Sequence, residues 1–465
     1  MRGTETIEIC KLIDGKLIAG SGKELIKTVC QDSRLVEQNA GFFAVKGANF
    51  DGHNYLASAV EKGASLLVVE NQEKFDEFVK TENNFKGSCI LVENTIEALV
   101  KLAKWYLNSL NVKKTGVTGS CGKTSTRDML YYVYSEKFKA HRNKGNFNTL
   151  VGVALTILDI PEDTEAVVFE MGMDGPGQIR EIAQLVQPDM AVITNVGVSH
   201  LENFDNRDGI FDAKMEITEF FKGGENLIVA GDDLYLNHER LNKKLDKPCQ
   251  VLVSRELDDK NQDDTDILLT NVTENPDMTV SFDIEIEGEK AHVDLPVPGK
   301  HNAGNASLAL AAGKAMGISL EDGAKGLAKM NLTGKRLLVE EGNGLKVIND
   351  TYNANPLSMK AAIDILVSAE GTVNGRKIAV LGDMYELGPD EIQYHREVGE
   401  YAMSKVDVLY SVGTMSQVMG ADVHFETKEE ILAEKDKLFQ PGDMILVKAS
   451  NGMKLDQLVE GLLAD

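Results

Sequence analysis

The chain of 465 residues reads as an α/β protein of three domains. A central parallel-sheet domain carries a phosphate loop (P-loop) of ATPase type. An α/β N-terminal domain precedes it, and a smaller Rossmann-like C-terminal domain follows. Three observations predict this. The length suits about three domains of ordinary size. From about residue 112 to 333, short apolar runs alternate with helical stretches, as expected of a parallel sheet covered on both faces. The run Lys114-Thr115-Gly116-Val117-Thr118-Gly119-Ser120-Cys121-Gly122-Lys123-Thr124-Ser125-Thr126 reads as a strand, a tight glycine loop and the start of a long helix reaching about residue 138. The expected boundaries are 1–108, 109–333 and 334–465.

In the glycine loop, Gly119 and Gly122 let backbone N–H groups turn inward, where a helix N-terminus already favours negative charge. Lys123 reaches terminal phosphate oxygens, and the Thr124 hydroxyl is placed to hold Mg²⁺. Residues 119–125 therefore outline a cradle for a nucleoside triphosphate. A strict Walker A spelling wants glycine where Val117 stands, so Thr-Gly-Ser-Cys-Gly-Lys-Thr is a shorter variant. The bland alternative is a glycine turn of purely structural use.

Composition narrows the partners. A net charge of −24 argues against nucleic acid or an anionic membrane, while leaving room for a phosphate-bearing substrate held by local cations. The five cysteines (10, 30, 89, 121, 249) are scattered and lack CxxC spacing, which reads as free thiols in a reducing compartment. The N-terminus shows no apolar signal region, and no run of about 18 apolar residues occurs. A cytoplasmic protein without membrane insertion is expected.

Taken in order, residues 41–45 predict a strand, 55–61 a helix, and 65–70 and 89–93 buried strands. Two polar groups stand out there: Asp32-Ser33-Arg34, and the run from Lys46 to Asp51-Gly52-His53. Turn chemistry explains both without any ligand. In the central region 166–169, 190–194 and 227–230 predict strands, and 302–316 an alanine-rich helix. Between 251 and 298, alternating segments such as 280–284 look like antiparallel edge strands. Beyond 334, strands at 345–348, 377–381, 406–411 and 444–447 alternate with helices, and Pro356 suits the first position of one of them.

Glu170, His200 and Lys214 follow strand ends in the central domain. Ligands of open α/β sheets lie beyond the carboxyl ends of strands, so Glu170 and the 195–200 loop can converge on a nucleotide. Glutamate and histidine are suitable metal ligands, whereas a charged lysine is not. Taken singly, each residue reads better as a solvated or satisfied polar group; it is their shared placement by one phosphate loop that raises the functional reading.

Together these runs resemble the Mur ligases. The resemblance rests on residues 118–124, Glu170-Met171-Gly172-Met173, Asn195-Val196-Gly197-Val198-Ser199-His200-Leu201-Glu202 and Ala213-Lys214-Met215-Glu216-Ile217. It extends to Pro298-Gly299-Lys300-His301-Asn302-Ala303-Gly304-Asn305-Ala306 and Asp350-Thr351-Tyr352-Asn353-Ala354-Asn355-Pro356. The last of these, with residues 381–388 and His395, is most similar to the member that adds D-Ala-D-Ala to UDP-MurNAc-tripeptide.

That resemblance implies an ATP-dependent carboxylate–amine ligase working through an acyl phosphate, with ATP and Mg²⁺ as cofactors. Attack of a carboxylate on a triphosphate crowds like charges, each pair costing about 4 kcal/mol at 4 Å and an effective dielectric of 20. Cations must relieve this. The resemblance assigns Lys123 to the β/γ-phosphates, Thr124 and Glu170 to one Mg²⁺, and His200 to a second. Lys214 is carbamylated in the family, which turns a cation into an anionic metal ligand; unmodified, it would contact the phosphoryl group. Asn302 and Asn305 would face adenine, although Asn302 reads equally as a helix cap. Arg336 would reach phosphate and Asp350 ribose. Asn353, Asn355 and Ser358 would lie near the dipeptide, the alternative being an Asn-rich turn before a Pro-started helix. Ser33, Arg34, Lys46 and His53 would serve the UDP-substrate.

The partners implied are small molecules, and a monomer is expected. The rivals are a neighbouring ligase of the family, whose Asp-Asn-Pro-Arg motif is absent, a folylpolyglutamate synthase, a P-loop kinase or NTPase, and a nucleotide-dependent binding module.

Overall fold

The computed structural model describes the chain apart from residues 48–49, 82–84, 199–200, 257–264, 276, 331–335, 370–374 and 465, and the side chain of Leu201. The chain divides into two compact units: Met1–Lys114 with Phe138–Met171 and Glu181–Gln187, and Thr115–Lys137 with Gly172–Arg180 and Pro188–Asp465.

The first unit holds a five-stranded sheet in the order Lys16–Ala19, Ser88–Leu91, Leu66–Val69, Gly41–Phe43, Val29–Cys30. The first pair is antiparallel and the others are parallel. Leu66–Val69 is buried along its whole length, as its unbroken apolar spelling requires. Phe42, Leu67, Val69, Phe75 and Phe78 pack into one core. Asn94 caps helix Thr95–Ser109, accepting from the Ile96 and Glu97 N–H groups at 2.9 Å. The Tyr106 hydroxyl ties that helix to Ile160 O at 2.6 Å, just beyond helix Leu150–Asp159. Ala140–Arg142 pairs in parallel with Ala166–Glu170. Residues 52–55 form a 3₁₀ turn ahead of helix Leu56–Glu61, a later start than the sequence predicts, because Asp51 caps the turn through the His53 N–H.

In the second unit Lys113–Thr118, Met190–Ile193, Asn226–Ala230, Gln250–Glu256 and Ile267–Glu274 are successive parallel neighbours, and Val280–Ile286 and Glu289–Leu295 add antiparallel strands. The expectation of antiparallel strands throughout 251–298 is thus corrected: Gln250–Glu256 extends the parallel sheet. Its buried Val251, Val253 and Ser254 suit an interior strand better than a half-solvated edge. Helix Lys123–Ser135 follows the loop and ends three residues earlier than expected. It packs closely on its neighbours: a Cβ at Gly313 would lie 2.4 Å from Val133 Cγ1. The Thr115 hydroxyl meets the Tyr134 hydroxyl at 2.8 Å, tying this helix to its own strand.

The same unit contains a six-stranded sheet in the order Leu338–Gly342, Leu345–Asp350, Met444–Lys448, Lys377–Gly382, Val408–Val412, Val423–Phe425. All pairings but the first are parallel. Apolar clusters line both faces, one under helices Pro356–Ser368 and Glu391–Met403, the other under Asp456–Leu463. The parallel register sets Asp350 opposite Lys448 at the carboxyl edge. Both side chains are buried, and the ammonium donates to Asp350 Oδ2 at 2.5 Å and to Asn353 O at 2.7 Å. Removing one partner of a buried pair strands the other charge. Lys448→Met is therefore expected to cost about 3–5 kcal/mol of unfolding free energy in urea. The apolar pair Asp350→Leu/Lys448→Met should recover most of it.

Candidate active site

The phosphate loop leaves the end of strand Lys113–Thr118 through Gly119 at φ +151° and enters helix Lys123–Ser135 through Gly122 at φ +80°. Close approach as well as conformation demands these glycines. A Cβ at 119 would lie 1.8 Å from Thr194 Oγ1, and one at 122 would lie 2.7 Å from Asn305 Oδ1. No side chain caps the helix. Its first turn, with Thr124 buried and Ser125 after it, thus offers N–H groups and a positive dipole end to an anion. Lys123 folds back over the loop, its ammonium donating to Gly119 O at 2.8 Å and Ser120 O at 3.3 Å.

What holds the loop is Asn195, at the carboxyl end of strand Met190–Ile193. Its Oδ1 accepts from the Ser120 and Cys121 N–H groups at 3.1 and 2.9 Å, and its Nδ2 donates to Cys121 O at 3.1 Å. The Thr194 hydroxyl donates to the same carbonyl, and the Ser120 hydroxyl accepts from Gly197 N–H at 2.8 Å. The sequence places Asn195 near the nucleotide but does not reveal this task. Beyond it, Asp233 and Arg207 grip the Val196 peptide: Asp233 accepts its N–H at 2.8 Å while Arg207 donates to its carbonyl and pairs with Asp233 at 2.8 Å. Asp233 follows strand Asn226–Ala230, so its position at a strand end was the one available signal.

Lys214, on helix Arg207–Met215, is 2% exposed. Among the described residues no carboxylate pairs with it. Burial first, then the charge of Lys123, pushes its ammonium well below the usual lysine value, only partly opposed by Cys121 and Asp233. Burial and charge repulsion thus favour the neutral Lys214 amine, while Lys123 and the helix start give the loop its positive potential. Thr118 adds a buried hydroxyl without a hydrogen-bond partner at the start of the loop. A polyanion with its Mg²⁺ suits this set: the threonine hydroxyls are hard oxygen donors, and a neutral Lys214 amine can take up CO₂ to become one more.

The other expected nucleotide contacts form a second ring. Asn302 and Asn305 are buried on helix His301–Ala315, Asn305 Nδ2 donating to Asn302 Oδ1 at 3.0 Å. Asn302 does not cap that helix; its Nδ2 donates to Pro298 O at 2.7 Å. Arg336 stacks on Tyr352, 4.0 Å from the ring centre, while Asp350 is engaged by Lys448. Asn355 and Ser358 form a reciprocal capping box on helix Pro356–Ser368, with Pro356 at its first position. Asn353 Oδ1 accepts from Ala354 N–H. Lys448, which sequence reasoning passed over, organises this corner; a lysine ending the apolar strand Met444–Lys448 was the readable hint.

In the first unit Glu170 is buried, its Oε1 accepting from Asn148 Nδ2 at 2.9 Å and its backbone bracketed by the Asn143 amide. His200 lies outside the described residues. The four expected UDP-substrate residues differ in character. Arg34 is exposed and paired with Asp32 at 2.7 Å, Lys46 is exposed, and Ser33 is buried. His53 is 5% exposed with both ring nitrogens engaged: Nδ1 donates to Asp51 at 2.7 Å, and Nε2 accepts from Glu70 N–H at 3.1 Å. Against the pull of burial, hydrogen bonds from Lys74 and His53 hold the Asp51 carboxyl well below its usual range. All five cysteines are free thiols, and burial pushes Cys30 up to about 12.

The fold and loop define an ATP-dependent ligase class, and comparison with known proteins is specific. Three family descriptions match in succession: "Mur ligase family, catalytic domain" over residues 25–106, "Mur ligase middle domain" over 117–313, and "Mur ligase, glutamate ligase domain" over 336–451. The chain belongs to the Mur ligase family. It is 38% identical over 98% of its length, and 97% of the relative's, to the UDP-N-acetylmuramoyl-tripeptide–D-alanyl-D-alanine ligase of Bacillus subtilis. The Escherichia coli protein of that name is 28% identical over 98% and 97%. Among solved structures, MurF from Acinetobacter baumannii superposes with a TM-score of 0.85 at 29% identity, covering 100% of this chain and 99% of that one. MurF from Thermotoga maritima in complex with ADP gives 0.78 at 27% identity, covering 94% and 97%.

Two predictions follow from the geometry. Asn195→Ala removes the loop's neutral anchor, and ADP affinity measured by calorimetry should fall about tenfold or more, the equivalent of one or two net hydrogen bonds. Lys214 binds fewer protons folded than unfolded. Its penalty is therefore absent above the unfolded value of 10.5 and grows as pH falls towards the folded one. In CO₂-depleted buffer Lys214→Met should raise the melting temperature most near neutral pH and progressively less towards pH 10.5.

Proposed function

We propose that this chain ligates D-alanyl-D-alanine to UDP-N-acetylmuramoyl-tripeptide at the expense of ATP, in cytoplasmic peptidoglycan precursor synthesis, and that it works as a monomer. Its near full-length likeness to ligases of that name supports the substrates. The observation that carries the chemistry is the buried Lys214 amine, whose basicity burial and the nearby charge of Lys123 depress, beside a phosphate loop over which Lys123 folds.

In the first half-reaction a substrate carboxylate oxygen bonds to the γ-phosphorus of ATP as the bond to the ADP oxygen breaks, leaving an acyl phosphate. In the second, the dipeptide amine bonds to the acyl carbon, the carbon–oxygen bond to phosphate breaks, and the amine loses one proton. The first step needs charge neutralisation and in-line placement more than covalent help. Lys123 and the first-turn N–H groups of its helix steady the β- and γ-phosphates. The Gly119 and Gly122 turns let backbone approach them. When bound, Mg²⁺ neutralises phosphate charge and draws substrate and nucleotide oxygens together; Thr124 and a carbamylated Lys214 would hold it. The depressed basicity of Lys214 supports that modification, since a neutral amine is the form that adds CO₂. The roles of Glu170 and His200 as magnesium ligands are proposed from their sequence motifs alone.

Asn302, Asn305, Arg336 and Asp350 are proposed to serve the nucleotide, Asn353, Asn355 and Ser358 the dipeptide, and Ser33, Arg34, Lys46 and His53 the UDP-substrate. For His53, Asn355 and Ser358 the existing hydrogen bonds favour shaping the site over direct contact. The three matched family segments support the division at about 108 and 333. An α-amino group with a pKa near 7.7–8.0 is partly neutral at pH 7 and needs no strong base.

Phosphate release with each substrate omitted in turn tests the reading. Full turnover should require ATP, UDP-MurNAc-tripeptide and D-Ala-D-Ala together, and turnover indifferent to the dipeptide would overturn it.

A further inference from the structure

The phosphate loop and the 350–358 segment meet at Cys121. Cys121 Sγ, half-buried in the loop, lies 2.9 Å from Asn355 Nδ2 and 3.2 Å from Asn355 Oδ1. Asn355 Oδ1 also accepts from Ser358 N–H at 2.9 Å, and the shorter contact to sulfur is the one its amide N–H donates. The neighbouring Asn353 carbonyl is fixed by Lys448 at 2.7 Å. The cap is therefore held on three sides: by its own helix, by the edge of the six-stranded sheet, and by the thiol. The Cys121 backbone is in turn held at both N–H and C=O by Asn195. An anion settling on this loop acts on a peptide unit whose side chain grips the turn expected to serve the dipeptide.

We propose that Cys121 is a positioning residue coupling the nucleotide loop to the dipeptide-binding turn: the seated nucleotide fixes the Cys121 backbone, and its thiol fixes the Asn355 cap. This rests on the ligase reading above. The contact makes no bond to substrate. Its loss should weaken dipeptide binding to the nucleotide-loaded enzyme, because a smaller side chain no longer reaches the Asn355 cap.

The test is steady-state kinetics of Cys121→Ala and Cys121→Ser with ATP and D-Ala-D-Ala varied separately. Cys121→Ala should raise KM for the dipeptide at saturating ATP about fivefold, the fold-change of one net hydrogen bond. Cys121→Ser keeps a polar partner and should recover most of the loss. In a double-mutant cycle with Asn355→Ala the two losses should not add. An unchanged KM for the dipeptide, or additive losses, would overturn the coupling. Hydrogen exchange of residues 350–360 with and without a non-hydrolysable ATP analogue gives a readout independent of the acceptor's identity. Wild type should gain protection with nucleotide and Cys121→Ala should not; equal protection in both overturns the proposal even if the dipeptide assignment fails.

Discussion

A lysine amine buried close to a cationic phosphate loop is the constraint on which the catalytic corner depends. A helix start, Lys123 and a sequestered Lys214 share one face of the sheet edge, and like charges in a low-dielectric setting repel. Such an arrangement persists only if the surrounding scaffold over-determines it and an anionic ligand relieves it. The scaffold here is neutral. Two asparagines do the holding: Asn195 from the adjoining strand end and Asn355 at the Cys121 thiol. Amides supply donors and acceptors without adding charge, so they immobilise the loop and leave its electrostatic potential for the phosphate.

The charged pairs sit one layer out. Arg207 with Asp233 locks the peptide at Val196, and Lys448 with Asp350 locks the carbonyl of Asn353. Each ties together loops that leave different strands at their carboxyl ends, the edge where α/β sheets place ligands. The buried Lys448–Asp350 pair contributes little net stability, but it penalises any conformation that separates its partners. That property suits a site whose loops must keep register within a fraction of an ångström.

Much of this was legible in the sequence. The glycine loop, its strand and helix, the Pro356 helix start and the strands at 190–194, 345–348, 377–381 and 444–447 follow from apolar runs and turn chemistry that act over a few residues. The edge region misled because alternation at 280–286 was extended to 250–256, which pairs in parallel with Asn226–Ala230 and buries Val251, Val253 and Ser254. Asn355 and Ser358 were read towards a substrate, yet their spacing already spelled the capping box that occupies them. Lys448 and Arg207 carried no local signal, since their partners lie 98 and 26 residues away.

By itself, then, the sequence determined the phosphate loop, the order of strands and helices, and family membership, because backbone propensity and motif spacing are local properties. Only the tertiary structure decided that Lys214 is buried beside Lys123, that Asn195 rather than a charged group anchors the loop, and that Cys121 meets the cap of a helix 234 residues further on. Those facts depend on strand register and on which groups water can still reach. Both are settled only when distant segments pack together.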